Sequence, residues 1–423
     1  MKFDYKKLGN LIEISETKNK DLTVTKLVGM NIHKEFIPSV ANTIGTNLAR
    51  YKLINENQFA CNLMHVGRDK SVVISLFTSK KPTIISPAYK VFEIKNKEMI
   101  LPKFLMMYFR RSEFDRLGWF YTDSSIRGSL DWAKFCDIKI PIPTLEIQEK
   151  IVKIYEFLNY RIKLKERINK NLINICKAIF RKDFINYENY NDLKDSDCGL
   201  IPSDFEVKSI DEISKEVVCG KTPPTKKEEN YGKDMPFITI PDMHNNVFVI
   251  TTERKLSEIG IKSQIKKTLP KNSVCVSCIA TAGLVSLTYE KSQTNQQINS
   301  IICAEDISPY FIYLYIEEMS EYIKLLGSGG STTLNLNKNE FSKIKLVIPP
   351  KKTMDKFHNY IKSLFEEIKS NQLEIIKLTK LRDALLPKLM SGEIDVSKIN
   401  YDLKIMLVIL YKKIVNLILR ITK

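Results

Sequence analysis

The sequence predicts an α+β fold in which two mixed α/β domains are separated by two long helices that form an antiparallel coiled coil, with a pseudo-twofold internal repeat. Three observations support this prediction. The stretch GSLDWAKFCDIKIPIP at 128–143 has a counterpart, LNLNKNEFSKIKLVIP, at 334–349. Both copies alternate apolar and polar residues before a proline, which is typical of a strand with one buried face. A long heptad pattern of apolar residues follows each copy.

The two stretches are copies of one structural unit. Aligning Phe135 with Phe341 gives an offset of 206 residues, the difference between the two numbers. At this offset the apolar positions coincide: Leu130 with Leu336, Ile138 with Ile344, Ile140 with Leu346, Ile142 with Ile348 and Pro143 with Pro349. The residues of the first copy that invite chemistry, Asp131, Trp132 and Cys136, are not repeated in the second. We therefore interpret the stretch as structural, with the proline ending the strand.

The heptad patterns predict two matched helices. Each runs about 36–40 residues, which corresponds to roughly 54–60 Å at the helical rise. Either helix alone is compatible with an ordinary surface helix, but two of matched length after matched strands favour pairing with each other. Lys165 and Asn371 interrupt the same layer of both copies, and a polar residue in such a seam usually fixes register or partner. The residues predicted to pair the helices are Leu158, Ile162, Lys165, Leu172, Leu364, Ile368, Asn371 and Leu378.

These patterns divide the chain into six segments. The predicted segments are a first domain at 1–143 (the first head), a long helix at 144–185, a connector at 186–205 that contains Gly, Asp and Pro, a second domain at 206–349 (the second head), a long helix at 350–392 and an apolar, basic C-terminal extension at 393–423. Lys412 and Lys413 interrupt the extension, and its apolar runs are shorter than the roughly 18–20 residues that a membrane span needs. We expect an amphipathic terminal helix there.

Charge indicates a polyanionic partner. The chain carries 66 Lys and Arg against 49 Asp and Glu, a formal net charge of +17. Such a surplus is typical of nucleic-acid binding, although a general bias towards lysine would also produce it. Among the eight cysteines the only CxxC pair is Cys275 with Cys278, and no second Cys/His pair at matching spacing accompanies it, so no zinc site is expected. Scattered thiols and a start without a signal peptide predict the cytoplasm.

Several motifs resemble one known family. The second head opens with CGKTPPT at 219–225 and PFITIPDM at 236–243, and it closes with GSGGSTTLNL at 327–336. The first head closes with RGSLDW at 127–132, and the second long helix ends in LRDALLPKLMSGE at 381–393. Together these motifs, over roughly residues 1–396, resemble the DNA-specificity (S) subunit of type I restriction–modification systems. The chain departs from that family by continuing through Ser397–Lys423.

The resemblance implies a function and a set of partners. In that family two target-recognition domains each recognise one half of a split double-stranded DNA site, and the paired helices set the spacer. Two adenine-N6 methyltransferase subunits and motor–nuclease subunits are the implied partners. S-adenosylmethionine, ATP and Mg²⁺ would be bound by those partners, so no cofactor and no metal is expected on this chain.

Residue type alone selects the DNA-contact candidates. Lys and Arg neutralise phosphates, whereas Asn, Gln, Ser and Thr recognise base edges, with amides suited to adenine. For each candidate below, the alternative is that the residue lies in a solvent-exposed loop and does not contact DNA. The candidates are Asn31, Lys34, Asn47, Arg50, Asn62, His65, Arg68 and Lys70 in the first head, and Lys221, Thr222, Lys226, Lys227, His244, Asn245, Asn246, Lys266, Lys267, Gln293, Asn295 and Gln296 in the second.

The chain lacks the motifs of the enzymes that act on DNA in such systems. It contains no Asn/Asp-Pro-Pro-aromatic tetrapeptide to hold a flipped adenine, no GxxxxGK[ST] loop for ATP and no HExxH. We therefore expect a non-catalytic specificity subunit, with no catalytic residues. Two alternatives remain open: a fused restriction or methylation enzyme with an unrecognised catalytic site, and a coiled-coil protein attached to a membrane by its tail.

Overall fold

The computed structural model describes residues 3–39, 45–123, 128–279, 281–327 and 335–397. Arg127, the glycine-rich 328–334 segment and the predicted extension after Ser397 lie outside the described residues. The chain forms two compact units, Met1–Arg161 with Thr379–Lys423 (unit 1) and Ile162–Leu378 (unit 2). The boundary between them falls inside both long helices. In the described part of the chain no helix is long and apolar enough to cross a membrane.

Unit 1 contains the first head, built from short strands and helices. Its strands are β1 Asp4–Lys7, β2 Ile12–Ile14, β3 Leu27–Met30, β4 Phe36–Pro38, β5 Lys52–Ile54, β6 Phe59–Asn62, β7 Val73–Leu76, β8 Thr83–Ile85, β9 Lys90–Ile94 and β10 Lys139–Ile142, and its helices are α1 Val66–Asp69, α2 Pro102–Phe109, α3 Ser112–Phe120 and α4 Trp132–Asp137. One four-stranded sheet has the order β2-β9-β6-β7, a second has the order β4-β3-β8-β5, and β1 and β10 form a separate two-stranded sheet. Stacked and edge-to-face rings of Phe59, Phe92, Phe109 and Phe135 fill the core.

The first long helix, α5 Leu145–Phe184, begins in unit 1 and ends in unit 2. A β-hairpin follows it within the segment predicted as a connector: β11 Leu193–Ser196 pairs with β12 Gly199–Pro202. Gly199 has φ +91°, a backbone conformation that favours glycine after the two-residue turn.

Unit 2 contains the second head. Its further strands are β13 Glu206–Ser209, β14 Ser214–Cys219, β15 Tyr231–Ile238, β16 Phe248–Val249, β17 Arg254–Leu256, β18 Val274–Ser277, β19 Val285–Thr288, β20 Gln293–Thr294, β21 Ile298–Cys303 and β22 Lys345–Ile348, and its helices are α6 Ile240–Met243, α7 Glu258–Lys262, α8 Pro309–Glu318, α9 Ser320–Gly327 and α10 Lys338–Ser342, followed by the second long helix, α11 Lys351–Ser391, which ends in unit 1. The sheet orders are β14-β21-β18-β19-β16 and β17-β15-β20.

The internal repeat extends through both heads. β1 pairs antiparallel with β10, with Asp4 opposite Ile142, and β13 pairs antiparallel with β22, with Glu206 opposite Ile348. Just after the first strand of each head, Leu8 N donates to the carbonyl of Ile138 over 2.8 Å and Ile210 N donates to that of Ile344 over 2.9 Å. The order β2-β9-β6-β7 recurs as β14-β21-β18-β19. The predicted α+β fold with two repeated domains and two long helices is therefore confirmed.

The repeated stretch has the same local construction in both copies. Asp131 caps α4 by accepting hydrogen bonds from the backbone of Ala133 and Lys134, and its counterpart Asn337 caps α10 through Glu340 N. Asp and Asn are both favoured at this position because a side-chain oxygen satisfies the free amides of the first turn. Phe135 and Phe341 are fully buried in their own heads. The sequence changes from Asp to Asn while the role is kept.

Within unit 2 both long helices pack on the core of the second head. Phe180 and Phe184 near the end of α5 contact Phe357 near the start of α11, and Phe311 of α8 lies between them. These rings are buried. The ends of the two helices therefore share one apolar core with the second head.

Candidate nucleic-acid interface

The first head presents a polar connection between two strands of its main sheet. β6 ends at Asn62, α1 covers Val66–Asp69, and β7 begins at Val73. Asn62 Oδ1 accepts from Met64 N over 3.0 Å, which closes the first turn. Gly67 N donates to Gly128 O over 2.8 Å, and a Cβ on Gly67 would lie 2.7 Å from Gly128 Cα, so glycine is required for this backbone contact.

The predicted residues of this connection differ in availability. Arg68 is exposed and donates to both carboxylate oxygens of Asp69 at 2.7 and 3.2 Å, a pair that raises the pKa of Arg68 and lowers that of Asp69. Lys70 is exposed, and its Nζ lies 5.5 Å from the centre of the Trp119 ring. The Nδ1 atom of His65 is buried without a hydrogen-bond partner among the described residues. Arg68 and Lys70 are therefore the cations of this loop that face solvent.

Lys34 has a different role from the predicted phosphate contact. Its side chain is 6% exposed, and its Nζ donates to the carbonyl of Phe109 and to Asp115 Oδ1, the latter over 2.7 Å. The same carboxylate oxygen accepts from Val72 N over 2.8 Å and from Ser71 Oγ over 3.3 Å. Burial lowers the pKa of Lys34, while Asp115 acts in the opposite direction. Lys34 thus anchors, through Asp115, the end of the loop between β6 and β7 from inside the head.

The remaining candidates of the first head lie in two other turns. Asn31 Oδ1 accepts from Glu35 N over 3.0 Å in the β3–β4 turn. Asn47 caps a short 3₁₀ turn through Ala49 N, and Arg50 ends that turn with its side chain exposed. Both asparagine side chains are therefore occupied with local turn geometry.

In the second head two separate segments come together around a glycine. The backbone N of Lys221 donates to Thr294 O over 3.0 Å, and the Thr222 hydroxyl is hydrogen-bonded to Gln296 Oε1. A Cβ on Gly220 would lie 2.0 Å from Asn295 O, so only glycine allows this approach. The exposed cations Lys226 and Lys227 follow on the same loop. Residues 220–222 and Gln296 therefore form one polar group on the surface of the second head.

Two of the predicted amides face the interior of the second head. Gln293 is buried; its Nε2 donates to Thr268 Oγ1 over 2.9 Å and its Oε1 accepts from Gln264 over 2.8 Å. Asn295 donates to Gln297 Oε1 over 2.9 Å and is 8% exposed. These two side chains hold the loop instead of presenting a base-reading edge, which corrects the sequence interpretation of the Gln293–Gln297 cluster.

The other candidates of the second head lie on different elements. Lys266 is exposed and Lys267 half-buried in the short turn next to Gln264. His244 and Asn245 are exposed after α6, while Asn246 Oδ1 accepts from Gln372 Nε2 of α11 over 3.2 Å. A cleft of about 810 Å³ lies beside them; its lining includes Lys170, Ile173, Asn245, Asn246, Gln372 and Ile375. Asn245 and Asn246 therefore line a cleft that residues of both long helices also line within unit 2.

Within unit 2 the polar residues of the helix seam contact each other. Lys165 Nζ donates to Asn371 Oδ1 over 2.6 Å and lies 3.0 Å from Glu374. Asn371 Nδ2 donates to Asn169 Oδ1 over 2.9 Å, and Asn169 Nδ2 donates to Ile368 O over 3.3 Å. Partners move backwards along α11 as α5 advances, so the helices are antiparallel here. Lys165 and Asn371 are also equivalent positions of the 206-residue repeat. The hydrogen bond between them therefore joins the two copies of the repeat.

The other predicted pairing residues flank this network or lie further along the helices. Ile162, Ile368 and Leu378 are buried in unit 2, whereas Leu172 and Leu364 are half-buried against the core of that unit. In unit 1, Leu158 is buried and Arg382 Nη1 donates to Asn159 Oδ1 over 3.0 Å.

The described residues contain no group of three or more His, Cys, Asp or Glu side chains arranged to hold a metal ion. Cys275 and Cys278 are buried, and burial raises the pKa of both thiols to about 12. A thiol protonated in this way is a poor nucleophile and a poor metal ligand.

Sequence reasoning missed one surface feature and one buried residue. Trp119, Phe120 and Tyr121 at the end of α3 are exposed, and Asp115 is the internal partner of Lys34. The three consecutive aromatic residues were a visible signal for the first. Nothing local marks Asp115, because its partner lies 81 residues away in the sequence.

Known proteins are similar to this chain in sequence and in fold. The family model described as the type I restriction modification DNA specificity domain matches residues 2–174 and 202–379. The type I restriction enzyme HindI specificity subunit of Haemophilus influenzae is 33% identical over 381 residues, which cover 74% of this chain and 81% of that protein. The MjaIX specificity subunit of Methanocaldococcus jannaschii is 28% identical, covering 62% of each chain. The solved type I restriction–modification S subunit from M. genitalium superposes with a TM-score of 0.56 at 13% identity, covering 94% of this chain and 97% of that one.

Proposed function

The chain belongs to the type I restriction–modification DNA specificity family, and from this we propose that each head recognises one half of a bipartite double-stranded DNA site while α5 and α11 set the spacing between the halves. Specificity subunits of this kind are non-catalytic DNA-recognition proteins that assemble with other subunits of the system.

The observation that carries the proposal is the repeat centred on the helix seam. Two residues at equivalent positions of a repeat contact each other in an antiparallel pair only close to its twofold axis. Lys165 and Asn371 are such a pair, at 2.6 Å. Two heads of the same connectivity, each followed by a long helix, match a DNA site that has two halves.

The exposed cations support a phosphate contact at each head. Arg68 and Lys70 belong to the loop between β6 and β7, and Lys221, Lys226 and Lys227 belong to the loop after β14. Contacts to phosphates position a protein on DNA without reading its sequence, so discrimination requires further contacts to base edges. The exposed Gln296, whose Oε1 is shared with Thr222, is the amide best placed for that role in the second head.

Catalysis would belong to partner subunits. We propose two adenine-N6 methyltransferase subunits and motor–nuclease subunits as partners, with S-adenosylmethionine, ATP and Mg²⁺ bound by them, in the cytoplasm where the DNA lies. Family membership supports this assignment. The purified chain alone should transfer no methyl group from S-adenosylmethionine to DNA, whereas methylation by the chain alone would identify a fused enzyme instead.

The spacing function has a direct test. Removing seven residues from α5 together with the seven that face them on α11 shortens the helical pair by about 10 Å, at 1.5 Å per residue. This length corresponds to about three base pairs of DNA. The complex with its methyltransferase subunit should then methylate a motif with the same two halves and a spacer shorter by about three base pairs. An unchanged spacer in an assembled, active complex would overturn the proposal.

A control separates spacing from assembly. Removing one heptad from α5 alone shifts that helix against α11 and separates Lys165 from Asn371. We expect this variant to lose assembly or activity instead of gaining a new spacer, because the register of the seam is broken.

A further inference from the structure

Three consecutive aromatic residues of the first head face solvent at the end of α3. Phe120 is 78% exposed, Trp119 48% and Tyr121 37%. The Phe120 and Tyr121 rings meet edge to face with centroids 5.4 Å apart. We call Trp119, Phe120 and Tyr121 the aromatic ridge. Contiguous exposed apolar surface of this kind usually marks a binding site, because leaving it in water is unfavourable.

The ridge is fixed to the head by its backbone. Gly118 packs so closely on the end of the β6–β7 loop that a Cβ there would lie 2.3 Å from Val72 Cγ2. After the helix, the Thr122 hydroxyl donates to Trp119 O over 2.7 Å, and Lys134 Nζ donates to Tyr121 O over 3.4 Å. The rings therefore project from an anchored helix end, and ordering them on binding costs little conformational entropy.

The surroundings of the ridge are cationic. Lys70 Nζ lies 5.5 Å from the Trp119 ring centre, and the exposed side chains of Arg68 and Arg116 lie on the adjoining helices α1 and α3. The nearby carboxylates are paired within the head: Asp115 with Lys34, Asp69 with Arg68, and Glu113 with Arg111 and Arg116. Lys70 is therefore the cation beside the ridge that lies over an aromatic ring instead of a carboxylate. Apolar rings bordered by cations fit a nucleic acid, which offers apolar base surface between phosphates.

We propose that the aromatic ridge contacts the bases of the DNA half-site recognised by the first head, with Phe120 wedged against a base step. This inference rests on the proposed function. Apolar wedges of this kind are used by proteins that bend or unstack DNA, while neighbouring Lys and Arg hold the phosphates. Lys70 and Arg68 supply those cations here, on the loop that also carries the candidates Asn62 and His65.

The test compares ring removal with charge removal in the complex of the full chain with its methyltransferase subunit. Phe120→Ala should weaken binding to a duplex that carries the cognate bipartite site by about 5- to 100-fold, the range of one lost aromatic–base contact. Its dependence on salt should keep the parent slope, because no phosphate contact is lost. Lys70→Ala should instead reduce that slope by about one.

Two further variants serve as controls. Phe120→Trp keeps an aromatic surface and should retain binding within a few-fold of the parent. Tyr5→Ala removes another exposed ring of the first head, on β1, and should leave DNA binding unchanged. Because Phe120 is so exposed, its replacement should leave the melting temperature of the chain unaltered.

Three results would overturn the inference. The first is parent affinity for cognate DNA in Phe120→Ala. The second is a loss of the methyltransferase subunit from the complex with DNA affinity retained, which would show that the ridge docks on protein. The third is an equal penalty on DNA in which the half-site of the first head is scrambled. Failure of the proposed function has a different signature, since the parent complex itself would then fail to discriminate cognate from scrambled duplexes.

Discussion

The contact between Lys165 and Asn371 offers the sharpest perturbation of the helix pair. Lys165→Met keeps the length and apolar stem of the side chain but removes the ammonium group that Asn371 Oδ1 accepts from. Asn371 is 1% exposed, so water does not replace the lost donor, while its Nδ2 remains bonded to Asn169. The variant thus leaves one buried carbonyl oxygen without its partner.

The expected magnitude follows from that orphaned oxygen. Leaving a buried acceptor unsatisfied costs about 1–3 kcal/mol. The ion pair with Glu374 adds little, since both side chains keep 24–32% of their surface exposed and water screens them. We therefore expect the free energy of unfolding to fall by about 1–3 kcal/mol, which lowers the melting temperature by roughly 2–10 °C for a unit of this size.

The assay is thermal and urea unfolding of the full chain, monitored by circular dichroism. Lys163→Met is the matched control, because Lys163 is an exposed lysine on the same helix; it should change stability by less than about 0.5 kcal/mol. The exchange Lys165→Asn with Asn371→Lys restores one lysine and one asparagine across the seam. It should recover at least half of the loss caused by Lys165→Met.

Two outcomes would refute this reasoning. If Lys165→Met is as stable as the Lys163→Met control, the polar contact is not part of the folded seam in solution. If the exchanged variant is destabilised by the sum of two independent single changes, the two residues do not interact, because coupling would appear as non-additivity.

Three further predictions concern the heads. Asp115→Ala should destabilise the chain more than Lys34→Met, because the first leaves a buried ammonium group without its counter-charge; equal melting temperatures for the two variants would contradict this. Gly220→Ala should lower stability by about 1–3 kcal/mol through the clash with Asn295 O and weaken cognate DNA binding, whereas normal stability in calorimetry would show that the loop relaxes freely. Lys221→Ala should weaken binding to cognate and scrambled duplexes alike and reduce the salt slope by about one, and a penalty confined to cognate DNA would assign Lys221 to base recognition instead.

The repeat and the long helices could be predicted because their signals are periodic. The alternation around Ile140 and Leu346 identifies a strand with one buried face, and the heptads identify helices that bury one stripe. The same offset placed Lys165 and Asn371 in one layer, and the two side chains do meet. Local capping was within reach as well, since Asp131 and Asn337 are both good caps, yet their difference in residue type concealed the shared role.

The site residues were harder to predict because availability depends on tertiary partners. Lysine side chains are almost always exposed, so Lys34 was a reasonable candidate for a phosphate contact. In the folded head, however, the ammonium group of Lys34 is buried against Asp115. Gln293 has the chemistry of a base-reading amide, but Gln264 and Thr268 occupy it. No local pattern encodes such partners, which lie 25 or more residues away in the sequence.

The central claim is that this chain directs methylation to a split DNA site through its two heads. It is tested most directly by methylome sequencing of cells that contain the methyltransferase subunit, with and without this chain. We predict that one bipartite adenine motif with a fixed spacer is methylated only when the chain is present. The account would be contradicted if no split adenine motif changes between the two methylomes.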